Sequence, residues 1–368
     1  MKYLVVSQYG EGLYLADILR RKNHDVRITV TTGSTARLRN IVGITTTHQE
    51  VVEWGPDKVL FTYPAIDLAE TMRIIGIQIP TIGGHAARVM IEYPSEFGRI
   101  NLEKSKIAVA DTNTKGIKVT CGAWFDKDHW LSPTYYEFAE RTFLPDGYGA
   151  KTGYEGAVSF SSSNTKEKLF SRTIKRLTGL LRASNYIGPV IADFIVDDEG
   201  MAYVSSISCD IPAYFRMGAT AQELEGKDSE SDEQFTITLR VSIPPYPLPY
   251  IPSVDPKADL ELRNLILSKA KFTLVGELDI YDDVFNDFDG PRCAGYTGSL
   301  GYLVETSDDS SKVYESIRSR VSALGSPFNP IQARVDIGRD IVVQLKKLRK
   351  FGFLVPARKS APKELAPV

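Results

Sequence analysis

One stretch limits what this chain can become more than any other. From Val190 to Asp210 it reads Val-Ile-Ala-Asp-Phe-Ile-Val-Asp-Asp-Glu-Gly-Met-Ala-Tyr-Val-Ser-Ser-Ile-Ser-Cys-Asp. Two apolar runs, Val190–Val196 and Met201–Ile207, flank an acidic Asp197–Gly200 turn. Acidic residues ending in Gly between two β-rich runs predict a hairpin, because Gly tolerates the positive φ such turns require. Period-2 alternation then sets Asp193 on one face of the first strand, against apolar neighbours on the other. A carboxylate buried there must be paired, hydrated or metal-bound. An Asp facing solvent at a sheet edge fits the same pattern.

The N-terminus follows a different rule. Tyr3–Val6 is a short apolar strand, Leu13–Lys22 carries Leu15, Ile18 and Leu19 at helical spacing, and Val26–Val30 is a second strand. Arg20, Arg21 and Lys22 suit the helix C-terminus. Strand–helix–strand order implies a parallel sheet with a ligand crevice at the strand C-terminal ends. Gly10 and Gly12 precede the helix, where exposed N–H groups can hold a phosphate, although GxGxxG is incomplete and a tight turn accounts for the pair. A strand at Lys58–Thr62, a helix at Asp67–Ile75 and a strand at Gln78–Ile82 extend the α/β domain over residues 1–92. His85, after Gly83 and Gly84, is either a ligand contact or a turn residue.

Residues 93–120 show little periodicity until an alternating strand at Ile117–Phe125. Asp126-Lys127-Asp128-His129, between Trp124 and Trp130, reads as a solvated turn rather than a metal site. Gly147, Gly149, Gly153 and Gly156 surround Lys151 and Thr152, giving a backbone able to approach a phosphate closely without forming a GxxxxGK[ST] loop. Lys166–Ser184 reads as an amphipathic helix. After the acidic 223–234 connector come strands at Phe235–Ile243, Leu274–Tyr281 and Gly295–Glu305, then helices at Ser311–Leu324 and Asp340–Phe351. Pro244–Pro249 breaks regular structure. The pattern divides into residues 1–92, a central sheet domain at 93–234, a smaller C-terminal domain at 235–352 packing on the central sheet, and a disordered tail at 353–368.

Composition narrows the function classes. A formal net charge of −2 over 368 residues gives no global pull toward nucleic acid or an anionic membrane. Cys121, Cys209 and Cys293 are widely spaced, which predicts free thiols in a reducing compartment. No apolar run of about eighteen residues is present, and the first residues are too soon polar for a signal peptide, so a cytoplasmic protein is expected.

Several motifs in order resemble glycinamide ribonucleotide synthetase (phosphoribosylamine–glycine ligase), an ATP-grasp enzyme. Met1–Leu19 is similar to that family's opening strand, loop and helix, with Gly10, Leu15, Ala16 and Leu19. Thr152-Gly153-Tyr154-Glu155-Gly156-Ala157 resembles its Thr-Gly-Gly-Met-Gly-Ala loop. Thr236–Leu248 resembles its strand ending in Gly-Tyr-Pro, Leu300–Val304 its C-terminal domain, and Arg334-Val335-Asp336-Ile337-Gly338 its closing Arg-x-Asp-Ile-Gly. The resemblance implies an ATP-grasp-like α/β fold with an open parallel N-terminal domain, a central sheet and a small C-terminal domain.

It also implies ATP and Mg²⁺, and an amine joined to a carboxylate through an acyl phosphate, a reaction that relies on metal and cationic groups to offset phosphate charge. Gly10, Lys151, Thr152, Gly153 and Gly156 would then grip phosphate or substrate, and Asp193 with Asp210 would hold metal. Two departures stand out. The family's Glu-x-Asn metal pair corresponds to Ser206 and Ser208, whose neutral hydroxyls serve a hard cation poorly. Residues 93–116 are too few for the subdomain that closes over ATP. The two functional expectations are therefore a divergent carboxylate–amine ligase and an ATP-grasp-fold protein that binds a nucleotide-like ligand or a protein partner without turnover.

Overall fold

The computed structural model describes residues 1–7, 12–30, 43–44, 48–62, 81–82, 85–209, 228, 234–244, 246–247, 275–281, 284–287, 290–293, 298–324 and 331–355. Its first sheet is parallel, with strands β1 (Lys2–Ser7), β2 (Asp25–Val30), β3 (Gly43–Ile44), β4 (Lys58–Phe61) and β5 (Thr81–Ile82) in the order β3-β2-β1-β4-β5. The central strand is apolar along its length because both faces of a parallel sheet are covered, and Tyr3, Leu4, Val5 and Val6 are all buried. Helix α1 (Leu13–Arg21) lays Leu15, Ala16 and Leu19 into that core. Gly12 at its N-terminus is required by close packing, since a Cβ there would lie 2.6 Å from Val5 Cγ1. Helix α2 (His48–Trp54) follows β3. The helix expected at Asp67–Ile75 lies outside the described residues, as do Gly10, Gly83 and Gly84.

The second sheet is built from β6 (Ile117–Asp126), β7 (His129–Trp130), β8 (Thr134–Thr142), β9 (Lys151–Ser162), β10 (Ile187–Val196), β11 (Ala202–Ser208), β12 (Phe235–Ser242), β13 (Ile280–Tyr281) and a last strand at Ser299–Ser307. A separate two-stranded hairpin, β14 (Val284–Asp287) with β15 (Gly290–Cys293), makes that last strand β16. The order is β11-β10-β6-β8-β9-β12-β16-β13, with β7 beside β6. The strands assigned from sequence to a C-terminal domain, β12 and β16, hydrogen-bond directly into this sheet through β9.

Strand alternation gives the sheet two unlike faces. Val119, Cys121 and Ala123 of β6 and Val190, Ala192, Phe194 and Val196 of β10 are buried in the apolar core. The four helices after α2 are α3 (His85–Ile91), α4 (Glu96–Lys104), α5 (Lys168–Ser171) and α6 (Thr178–Ala183), followed by α7 (Ser310–Leu324) and α8 (Ile341–Lys350). The core includes Leu169 and Phe170 of α5, Leu181 of α6, Ile317 of α7 and Leu345 of α8. Glu167 ties two of these elements together: its Oε2 accepts from Leu169 N at 2.7 Å and Phe170 N at 3.3 Å, and its Oε1 accepts from Leu354 N at 2.9 Å. The three cysteines are unbridged and buried.

Three elements differ from the sequence reading. Lys166–Ser184 is not one helix but α5, a 3₁₀ turn at Ile174–Leu177 and α6, broken at Thr173, whose hydroxyl donates back to Leu169 O. Back-bonding by a β-branched residue of this kind bends or interrupts a helix. Leu274–Tyr281 holds a 3₁₀ turn at Val275–Glu277 before the two-residue β13. Lys151, Thr152 and Gly153 belong to a strand rather than a loop, because β9 pairs with β8 across a turn closed by Phe143 N to Ala150 O at 2.9 Å.

The segment 93–116, entirely described, is helix α4 plus a loop fastened to the edge of β11. Ser95 caps α4 by accepting from Gly98 N at 3.0 Å. Tyr93 exchanges two backbone hydrogen bonds with Ile207, and Ala108 and Ala110 bond Val204 on either side, at 2.9 and 2.8 Å. These contacts cover what would otherwise be an open sheet edge.

Candidate functional site

The face of the central sheet opposite the apolar core carries a transverse polar row. In register across five neighbouring pairs stand Ser206 on β11, Asp193 on β10, Thr120 on β6, Glu137 on β8, Ser159 on β9 and Thr236 on β12. Residues directly opposed in antiparallel strands project from the same face. Hydroxyls and carboxyls from six strands therefore meet along one line.

Asp193 is the best-tied member. Its Oδ1 accepts from Thr120 Oγ1 at 2.6 Å and from Arg141 Nη2 at 2.6 Å, and its Oδ2 accepts from Ser206 Oγ at 2.5 Å. A register shift between Asp193 and Phe194 marks the same point in β10. Such irregularities re-aim side chains and recur near functional sites. Arg141 also donates from Nη1 to Gly153 O at 3.1 Å, so one guanidinium joins the β8–β9 hairpin to the hairpin of β10 and β11. The Arg141 side chain is 44% exposed and Asp193 22%.

Glu137 is almost wholly buried, with 3% of its surface exposed. Burial pushes its carboxyl up to about 8; Arg141 pulls in the opposite direction and the Asp193 charge adds to the rise. Buried carboxyls held near neutrality in this way are common where proton transfer or tight polar recognition occurs.

The site residues expected from sequence fall into three groups. Asp193 and Gly153 meet on Arg141, and Thr152 Oγ1 reaches Arg141 O at 3.5 Å. Lys151 is exposed at the start of β9, opposite Thr142. Gly156 lies within β9, where a Cβ would come 2.3 Å from Thr238 O and 2.6 Å from Ile337 Cδ1, so its missing side chain permits β12 to close on the strand. Gly10 and Asp210 lie outside the described residues. His85 begins α3, and Asp126 pairs with His129 in the expected turn. Sequence reading did not find Thr120, Glu137 and Arg141. An acid within the apolar run Tyr135–Ala139 was the available signal for Glu137; nothing local marks the other two.

The magnesium that the resemblance implies does not fit this donor set. Mg²⁺ binds through carboxylate oxygens and water. Here both Asp193 oxygens already accept hydrogen bonds, one of them from a guanidinium, Glu137 favours its protonated form at neutral pH, and Ser206 and Ser208 offer neutral hydroxyls. Among the described residues no three His, Cys, Asp or Glu side chains converge to hold a metal.

A concavity of about 120 Å³ lies between the β8–β9 turn and the N-terminus of α8. Arg334 forms part of its wall, with Nε and Nη2 on Asp336 at 2.8 and 3.0 Å, Nη1 on Thr142 O and Oγ1 at 2.8 and 2.9 Å, and Nη2 on Glu140 at 2.9 Å. Burial raises the Asp336 carboxyl, but the hydrogen bonds and charge of Arg334 outweigh it and leave the group below its ordinary value. The Arg-x-Asp-Ile-Gly motif is thus a fastener between the C-terminal segment and β8.

No protein-family model matches the chain, and no curated protein matches it in sequence. Solved structures do match in fold. Phosphoribosylamine–glycine ligase from Thermotoga maritima aligns over 92% of this chain and 100% of its own, with a TM-score of 0.64 at 10% identity. Phosphoribosylglycinamide synthetase from Anaerococcus prevotii aligns over 90% and 98%, with a TM-score of 0.55 at 9% identity. L-amino acid ligase from Bacillus licheniformis aligns over 90% and 98%, with a TM-score of 0.54 at 10% identity. The ATP-grasp-like α/β architecture expected from the motifs is the architecture observed. Among the described residues no helix is long and apolar enough to cross a membrane.

Proposed function

We propose that this chain uses an ATP-grasp fold to bind a nucleotide-like small molecule on the polar face of its central sheet without joining an amine to a carboxylate. One observation carries the reading. Residues 93–116, where the resemblance calls for the subdomain that closes over ATP, form α4 and a loop bound to β11. Phosphoryl transfer depends on positioning and on excluding water from the reacting phosphate, and this segment supplies no cover for that. The sheet face itself remains suited to recognition, because the half-exposed Arg141 guanidinium is held in place on it by Asp193 and Gly153 O.

The experiment is calorimetry with ATP and with ADP, paired with an assay for ADP release in the presence of amine and carboxylate substrates. Binding without ADP release is expected. ADP release dependent on phosphoribosylamine and glycine would replace this reading with the second one, a divergent purine-biosynthetic carboxylate–amine ligase using ATP and Mg²⁺. That second reading draws on the alignment spanning all of the Thermotoga ligase. Fold shared at this identity does not carry an activity with it.

A further inference from the structure

We infer that the Arg141 guanidinium holds the electrostatic place of a divalent cation on this sheet, so that an anionic ligand binds here without metal. The inference deepens the binding reading and rests on it for the ligand, but not for the exclusion of metal. Arg141 Nη2 sits 2.6 Å from Asp193 Oδ1, while the same oxygen accepts from Thr120 and the other oxygen from Ser206. A metal ion approaching Asp193 would have to displace a charge-assisted hydrogen bond and two hydroxyl donors. Such bonds are the strong ones.

The replacement is anchored rather than incidental. Gly153 O accepts from Nη1 of the same guanidinium at 3.1 Å, fixing its plane between the two hairpins. The planar fork of Arg suits phosphate and carboxylate recognition. Further positive charge lies at the same end of the sheet. Exposed Lys118 is opposite Ile195, two residues along β10 from Asp193 and on the same face. Asp193 is already paired with Arg141, so exposed Lys118 adds positive charge on this face, which favours a phosphate-bearing ligand.

Two readouts test this on the full chain. The first is Mn²⁺ binding by electron paramagnetic resonance, with no ligand present. The wild-type protein is expected to bind no Mn²⁺ at millimolar concentration, whereas Arg141→Met combined with Ser206→Glu and Ser208→Asn is expected to gain at least tenfold in Mn²⁺ affinity. Mn²⁺ bound by the wild-type protein and lost in Asp193→Asn would overturn the inference while leaving the binding reading intact. The second is ADP binding with and without EDTA. Affinity unchanged within twofold by chelation and lowered about tenfold in Arg141→Met supports the inference. Affinity that collapses on chelation and survives Arg141→Met overturns it. Circular dichroism of each variant separates loss of the site from loss of the fold. Absence of ADP binding alongside absence of Mn²⁺ binding would remove the ligand-binding reading and leave the exclusion of metal standing.

Discussion

Two arginines lie on opposite sides of the end of β8, and they are used in opposite ways. Glu140 and Thr142 turn toward the helix-covered face and are taken up by Arg334. Arg141, between them, turns toward the open face and takes up Asp193. The Arg334 side chain is 1% exposed, and its contacts with Glu140 and Thr142 fasten the C-terminal segment to β8. Arg141 is 44% exposed. The difference separates a structural ion pair from one placed where a ligand can reach it: the first closes the fold, the second keeps a charged surface in a fixed shape.

Breaking the closed cluster should have the largest effect. Arg334→Met removes a buried guanidinium and leaves the half-buried Asp336 carboxylate and Thr142 oxygens without its hydrogen bonds. Removing one partner of a buried ion pair typically costs about 3–5 kcal/mol. A denaturant melt should show that loss as a lowered midpoint with an unchanged slope. A midpoint within about 0.5 kcal/mol of wild type would mean that the cluster is dispensable and that Arg334 is no different in kind from Arg141.

Glu137, buried in the same polar row as Asp193, sharpens the comparison. The folded protein holds its proton up to about 8, while the unfolded chain releases it near the ordinary Glu value of about 4.3. Between those values unfolding releases a proton, so stability falls as pH rises, at up to about 1.4 kcal/mol per pH unit. Glu137→Gln should match wild type near the acid end of that window and exceed it in stability at the alkaline end. Parallel stability–pH curves for the two proteins would show that burial at Glu137 is compensated in some other way.

Local pattern made part of this legible. The β10–β11 hairpin follows from alternation and an acidic turn, and the parallel N-terminal sheet follows from strand–helix–strand order, since both signals lie within a few residues. The candidate site is another matter. Thr120 and Asp193 are 73 residues apart and Arg141 and Asp193 are 52 apart, and no single sequence states the register that brings β6, β8 and β10 together. The glycines of 147–156 misled for the same reason. They read as a loop because pairing of β8 with β9 is decided by long-range contacts, and Gly156 is there for the approach of β12. Ser206 and Ser208 were placed by family comparison rather than by periodicity, and the structure then supplied Ser206 with its partner, Asp193.

Glu167 is a smaller test of the closed face. Glu167→Ala leaves the amides of Leu169, Phe170 and Leu354 without their acceptor. Buried groups stripped of a partner cost about 1–3 kcal/mol, so a loss of about 2 kcal/mol is expected in the same melt. Glu167→Gln, which keeps one oxygen, should lose about half as much. Equal losses in the two variants would show that the charge matters more than the capping geometry.

Arg141→Met should have the smallest effect on stability, although it sits at the centre of the candidate site. Exposed and half-exposed ion pairs contribute about 0–1 kcal/mol because water screens them and ordering long side chains opposes them. Thr120 and Ser206 still donate to Asp193 after the substitution, so its carboxylate is not stranded. A loss below about 1 kcal/mol, together with a clear change in ligand binding, is the signature of a group kept for recognition. A loss of 3 kcal/mol or more, as for a buried pair, would put Arg141 in the same class as Arg334, and the contrast between the two sides of β8 would vanish. The two arginines therefore need to be measured under one set of conditions, because it is the ratio of stability loss to binding loss that distinguishes a fastener from a site.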